Sequence, residues 1–505
     1  MDFGKATGNL SVRAVGPNDD DIFRQAIAAW DSGEPESALP QIERALPTSR
    51  DFRLWHIHGL ILRQLDRREE ALRSLKRAVE LNPRAPKPAF ALAKTLFEAG
   101  LPSVEAHGRA LQLAPGDPEV VLGLASAFIA EGDVDAAFTG LEKIVARSPL
   151  WIDGHALLSK LRWLQGERDG FARSFDEALA QYPGSVDLRR EQIIALMHAE
   201  QWDEVLSRIA RGRDAIGEIP LFGTNEAIVY AELGETERAE ALFAPFVDLQ
   251  DGPVQVRRVR HLLRSGRAEE AAELVEPWLY RPEGFMFWPY ASLAWRLVDR
   301  ERSEWLEGHE SFVGVYDIAD RLPPLDVLAE TLRRLHTLSG HPLEQSLRGG
   351  TQTDGDIFQH VDSVLVELRE AIRATVAEHV AKFPQRDERH PLLAPRRDSI
   401  RFDGAWSVRL QSRGYHVNHV HPFGWISSAL YVALPPDIGR EEAGCLALGE
   451  ARESGFDVGL PAFRTIEPKP GRLVLFPSYM WHGTRPFGEG ERLTVAFDVA
   501  RPQER

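Results

Sequence analysis

The chain has 505 residues, with 60 Lys and Arg against 76 Asp and Glu, a formal net charge of −16, and 43% hydrophobic and 27% charged residues. This length exceeds one ordinary hydrophobic core and calls for two or more domains, and the acidic balance argues against a general nucleic-acid or anionic-membrane partner. Cys445 is the single cysteine, which excludes an intrachain disulfide and fits a reducing compartment. The N-terminus lacks a basic segment followed by an apolar run, and no uninterrupted apolar stretch reaches about 18 residues, so neither a signal peptide nor a membrane span is expected. The cytoplasm is the expected location.

Residues 1–20 read as a flexible tail. From Asp21 to about residue 310 the chain repeats. Pro83, Pro115, Pro149 and Pro183 recur at spacings of 32, 34 and 34 residues, each closing an apolar helical pattern such as A-V-E-L-N-P. Short turns such as L-D-R-R-E-E and A-E-G-D-V-D separate paired amphipathic segments. The layout resembles the tetratricopeptide repeat, best at Leu54–Pro83, where Trp55, Gly59, Leu62, Ala71, Leu75, Ala78 and Pro83 fall at that family's offsets. Small residues such as Gly59, Ala71 and Ala125 let paired helices approach closely. Roughly eight units fit this span, and such solenoids usually bind peptides or proteins on a concave surface.

Within the array, Arg257, Arg260, Arg264 and Arg267 recur at helical spacing and share a face. The stripe reads either as a solvated basic face or as a grip for an acidic peptide. The aromatic cluster Gly284–Trp295 is expected to cap the array and dock the following domain. Helical segments are expected after it at Glu301–His309 and Pro324–Leu338, and residues 311–345 read as a helical connector. The Gly/Thr/Gln-rich segment G-H-P-L-E-Q-S-L-R-G-G-T-Q-T-D-G-D, residues 340–356, then reads as a boundary loop, and Ile357–Phe383 as one long amphipathic helix.

From Ser399 the apolar period changes from helical to alternating. Short strands with Gly/Pro turns are expected at 399–410, 425–434, 444–449, 471–477 and 492–499, an antiparallel sandwich or barrel of which the cupin-like jelly roll is one member. Three histidines, His416, His419 and His421, open this region. On a strand, His419 and His421 share a face and His416 points away. With His482 from a later strand they form a candidate metal set, His416 being more simply a core residue. Arg492 and Thr494 also share a face and offer a fork of donors to a carboxylate. A metal beside such a clamp points to a dicarboxylic co-substrate. Trp425 and Trp481 are expected in the core, and Lys469 and Arg472 in solvent on their turn.

The segments L-R-G-G-T-Q-T (Leu347–Thr353), H-V-H-P-F-G-W-I-S-S-A-L-Y-V (His419–Val432), F-P-S-Y-M-W-H (Phe476–His482) and E-R-L-T (Glu491–Thr494) resemble the 2-oxoglutarate/iron(II)-dependent oxygenase superfamily over about Leu338–Val499, most closely the members fused behind tetratricopeptide repeats. The resemblance implies a double-stranded β-helix over 346–505. It implies iron(II) on His419, His421 and His482, and 2-oxoglutarate on Arg492 and Thr494 with Tyr431 as a further donor. It also implies O2 as oxidant and hydroxylation of a peptide or protein held by the repeats. One departure matters: the superfamily has Asp or Glu where this chain has His421. Either His421 is itself a ligand, or Asp403, Asp457 or Asp498 supplies the carboxylate, and zinc stands as an alternative to iron. Two other readings remain at this point: a three-His cupin-type dioxygenase acting on a small molecule, and a repeat scaffold with a catalytically dead barrel.

Overall fold

Small residues at helix crossings and glycines after helix ends give the first part of the chain its form. In the computed structural model, residues 18–337, 343, 346–397, 400–436, 438, 440–453 and 456–502 are described. Most of the 1–20 tail, together with Leu338 and Ser399, lies outside them, and helix begins at Asp19 on an Asn18 cap. The chain forms two compact units that part at Leu124/Ala125, inside the helix Pro118–Ala130.

In the first unit, Phe52–Gln64 packs on Arg68–Leu81. Gly59 makes this crossing possible, since a Cβ there would sit 2.6 Å from Leu75 Cγ. Leu62, Ala71, Leu75 and Ala78, four of the signature positions, have no exposed area. Nine helix pairs occur among the described residues, from Asp19–Asp31 with Leu39–Ala45 to Trp288–Val298 with Arg300–Glu307. The ninth pair is the aromatic segment.

The second unit holds helix pairs of its own and a sheet. Its strands are β1 Gly314–Asp317, β2 Leu347–Gln352, β3 Phe402–His419, β4 Gly424–Ala433, β5 Leu446–Leu448, β6 Arg452–Glu453, β7 Phe456–Asp457, β8 Arg464–Ile466, β9 Arg472–Pro477, β10 His482–Thr484 and β11 Arg492–Ala500. Nine of them form one antiparallel sheet in the order β1-β9-β4-β11-β3-β10-β5-β8, with β2 also on β3; β6 and β7 make a separate hairpin. The sheet curls as a jelly roll. The 18-residue β3 carries the curl, pairing β11 along its first half and β10 at its last residues.

Several expectations change. The segment Leu347–Thr353 is mostly strand, because its backbone finds the unpaired edge of β3. Within the expected helical connector, Gly314–Asp317 pairs with β9 residue for residue. The long helix splits into a short turn at Ile357–Gln359 and a helix at Ser363–Val380, which the Asp362 side chain caps by accepting from Val364 N. Lys469 and Arg472 are not simply solvated; both pair with Asp317 on β1, at 2.9 and 2.8 Å.

One hydrophobic core runs from the last repeats into the sheet, through Leu263, Trp288, Trp295, Leu328, Leu368, Trp425 and Phe497. The docking role expected of the aromatic cluster is observed: Trp481 Nε1 donates to Pro289 O at 2.9 Å, and Arg296 donates to Gly449 O. The middle of the basic stripe is committed to the same junction. Arg260 and Arg264 pair with the buried Glu232, and the Arg260 guanidinium lies 4.0 Å over the Phe456 ring. Arg267 pairs with Glu240 and Glu270. Arg257, 3.8 Å from Glu232, keeps 43% of its side-chain area and Arg267 keeps 38%, so the stripe is a buried ion pair at its centre and a solvated basic face at its two ends. No helix among the described residues is long and apolar enough to cross a membrane.

Candidate metal centre

Neighbouring strands bring the histidines together. His482 opens β10 and faces His419, the last residue of β3, as its Cα partner. His421 lies just beyond the strand, where its N–H donates to Ser478 O at 3.0 Å and keeps the chain in register with β9's exit. The ring centroids are 4.2 Å apart for His419 and His482, 5.0 Å for His419 and His421, and 5.1 Å for His421 and His482. One nitrogen of each ring lies within 4.8 Å of the other two, a set that can hold a metal ion.

Each ring also has its Nδ1 occupied. His419 Nδ1 is 2.8 Å from Val417 O, His482 Nδ1 is 3.0 Å from Met480 O, and His421 Nδ1 is 2.7 and 2.8 Å from the two Asp498 oxygens. A carbonyl accepts only from N–H, so His419 and His482 carry the Nδ1 proton and turn an Nε2 lone pair outward. Burial favours the neutral rings. It pushes His419 down to about 3, with the neighbouring His421 adding to the effect, and holds His482 well below its ordinary value. At His421 burial also opposes the charge, but the Asp498 carboxylate outweighs it and holds the imidazole above its usual value. Three imidazole nitrogens with fixed outer partners fit a borderline first-row metal.

The three rings line a cavity of about 420 Å³, inside the range of small-molecule sites. Arg492 and Thr494 line the same cavity and are 2% and 4% exposed, so β11 presents both side chains to it. Arg492 Nε is buried without a hydrogen-bond partner. An orphaned guanidinium N–H facing a polar cavity is the donor a carboxylate would satisfy. Tyr431 pairs with Thr494 across β4 and β11, and its ring lies 5.0 Å from the Arg492 guanidinium. Its hydroxyl is buried against the Arg492 side chain, and the residue packs behind the cavity among Leu446, Val474 and Phe476.

The structure also places residues that strand alternation misplaces. His416 lines the cavity beside His419, because β3 carries a bulge here: three residues of β10, His482 to Thr484, oppose four of β3, His419 to His416. Gly483 permits this close approach, since a Cβ there would lie 2.9 Å from Asn418 Nδ2. Ser346 Oγ bridges His416 Nδ1 at 3.0 Å and His419 Nε2 at 3.3 Å. Of the three carboxylates considered as ligands, Asp498 reaches the site, but from behind His421 rather than beside it. Asp457 pairs with Arg452 on the outer hairpin, and Asp403 is exposed.

Residues 404–498 match the family described as "Putative 2OG-Fe(II) oxygenase". Residues 52–84 and 104–161 match tetratricopeptide-repeat families. No curated protein matches the chain. Among solved structures, a tetratricopeptide repeat protein from Parabacteroides merdae is 18% identical over 47% of this chain and 96% of its own, with a TM-score of 0.31. A Pseudomonas putida prolyl-4-hydroxylase is 16% identical over 38% of this chain and 94% of its own, with a TM-score of 0.27. MamA from Desulfovibrio magneticus RS-1 is 16% identical over 34% of this chain and 99% of its own, with a TM-score of 0.30. The chain thus joins helical repeats, two stretches of which match tetratricopeptide-repeat families, to a jelly-roll domain whose residues 404–498 match the 2OG-Fe(II) oxygenase family model.

Proposed function

We propose that the protein is a 2-oxoglutarate- and iron(II)-dependent dioxygenase that hydroxylates a peptide or protein captured by its repeats. The observation that supports this most is the shared cavity: three convergent imidazoles and a buried, unpaired Arg492 donor open on the same space. In this reading His419, His421 and His482 hold the metal, with Asp498 orienting His421. When bound, iron(II) and 2-oxoglutarate supply oxygen activation coupled to decarboxylation of the co-substrate to succinate and carbon dioxide.

The chain's own contributions follow from the geometry. Val417 O and Met480 O keep two rings in the Nε2 lone-pair tautomer. Arg492 and Thr494 bind the far carboxylate of the co-substrate, with charge assistance from a guanidinium that no protein carboxylate neutralises at that nitrogen. Phe476, 4.6 Å from His482, and Trp406, 5.7 Å from His421, wall the metal side with apolar surface and limit water. The peptide is the natural substrate class for a site fused to repeats. Arg260 and Arg264 take no part in its capture, being committed to Glu232 and Phe456.

Incubating the full chain with iron(II), 2-oxoglutarate and oxygen, alone and with candidate peptides, tests the reading. Succinate should form in the parent and not in His482→Ala. Equal yields from the two proteins would overturn it.

A further inference from the structure

The loop Ser478–Trp481 joins β9 to β10 and delivers His482 to the cavity. It has no strand ladder of its own, so its position must come from other contacts. Two of them come from the last helix pair of the solenoid. The Tyr479 hydroxyl donates to Leu306 O at 2.7 Å, in the helix Arg300–Glu307. The Trp481 indole donates to Pro289 O at 2.9 Å, in the helix Trp288–Val298. Both side chains are buried, at 5% and 3% exposure. Between them sits Met480, fully buried, whose carbonyl takes the Nδ1 proton of His482 at 3.0 Å.

The hold is reinforced on either side of the indole. Trp481 O accepts from Gly449 N at 2.6 Å, and Gly449 O in turn accepts from Arg296 of the same solenoid helix. The indole ring meets the edge of Tyr290 at 5.8 Å and the Phe456 ring at 5.8 Å.

We propose that the last repeat of the solenoid is a structural part of the metal centre: it clamps Tyr479 and Trp481, and so fixes the Met480 carbonyl that orients His482. Tyr479 and Trp481 are then positioning residues, acting through Met480 on a ligand they do not touch with their own polar atoms. The repeats therefore serve the chemistry even before any partner binds. The inference rests on the metal-binding reading of the three histidines. Outer partners of metal-bound imidazoles are worth about 10–100-fold in metal affinity, which sets the size of effect to expect.

The test uses the full chain and cobalt(II) as a spectroscopic stand-in metal. Tyr479→Phe and Trp481→Phe each remove one donor and keep an aromatic ring. The double variant should remain folded by circular dichroism, bind cobalt(II) about 10-fold or more weaker than the parent, and show a shifted visible absorption of the bound ion. Leu158→Val, a core truncation in a distant repeat, should lower thermal stability and leave cobalt affinity and spectrum at parental values. If the double variant does not fold, Tyr479→Phe, which loses a single hydroxyl, carries the same expectation at smaller size. A folded variant with parental affinity and spectrum overturns the proposal, as does an equal loss in Leu158→Val. A parent that binds no cobalt(II) overturns the metal-centre reading itself, and this proposal with it.

Discussion

Asp498 stands behind His421, with both carboxylate oxygens within 2.8 Å of Nδ1, and Ser427 Oγ donates to one of them at 2.6 Å. A residue that sequence comparison expects to be a carboxylate is here an imidazole with a carboxylate one bond further out. The negative charge missing from the inner set is therefore still present in the site, relayed through a ring. Three neutral imidazoles alone would leave a divalent metal with its full charge; a strongly polarised His421 reduces it and makes Nε2 a better donor.

Asp498→Asn should therefore weaken metal binding by about 10–100-fold while leaving the three imidazoles in place. A competition titration with a chelating dye measures this directly. Parental affinity in the variant would mean that His421 needs no carboxylate behind it.

Glu232 is the hub of the junction between the solenoid and the β6–β7 hairpin, with Arg260 and Arg264 on its two oxygens. Its side chain keeps 9% of its area, and the Arg260 side chain 8%. Glu232→Gln leaves these guanidiniums buried without a countercharge, a loss of about 3–5 kcal/mol. Phe456 rests on Arg260, so the hairpin should loosen as well. Chemical denaturation followed by tryptophan fluorescence would show the shift. A change under about 1 kcal/mol would place the pair among weak surface ion pairs instead.

The repeats were legible because a period of about 34 residues repeats a packing requirement, and small residues such as Gly59 and Ala71 mark where helices touch. His419, Arg492 and Thr494 were legible from two-residue alternation, which holds wherever a strand is regular. His416 was not, since a one-residue bulge turns its side chain back toward the cavity and no local pattern announces it. β1 and β2 failed for a related reason. Each is short and polar or glycine-bearing, and becomes a strand only because an edge of β9 or β3 is there to pair with. Asp498 was visible as a carboxylate, but its place behind His421 depends on the register that sets Asp498 opposite Ser427.

Glu307 supplies a pH test of the same junction. It is buried at the end of the last solenoid helix, and burial raises its pKa above the ordinary carboxylate value against the smaller opposing effects of Ser292 and Arg296. The folded protein thus keeps a proton that the unfolded chain has lost. Stability from this group is full below about pH 4.5, the unfolded value, and falls as pH rises toward the folded one. Glu307→Gln, neutral at every pH, should be more stable than the parent near pH 8, on the order of 1–3 kcal/mol. The two proteins should converge near pH 4. Melting temperatures across that range would reveal the crossing lines; parallel curves would show that Glu307 does not titrate with folding.

Arg492 separates co-substrate binding from metal binding. It lies on β11, with Nε orphaned, while the imidazoles sit on the β3 and β10 side of the cavity. Arg492→Met retains bulk and removes every donor, so metal affinity should stay within about twofold, as expected for a residue outside the ligand shell and its outer partners. Binding of 2-oxoglutarate should weaken by about 100-fold or more, the loss of a bidentate charge-assisted pair in a buried site. Arg492→Lys should recover part of this, since an ammonium keeps the charge but not the fork. Calorimetric titration of 2-oxoglutarate into metal-loaded parent and variants gives all three values. If Arg492→Met bound 2-oxoglutarate as the parent does, the cavity's carboxylate site would have to be elsewhere. If it lost the metal as well, Arg492 would be holding the histidines together rather than a ligand.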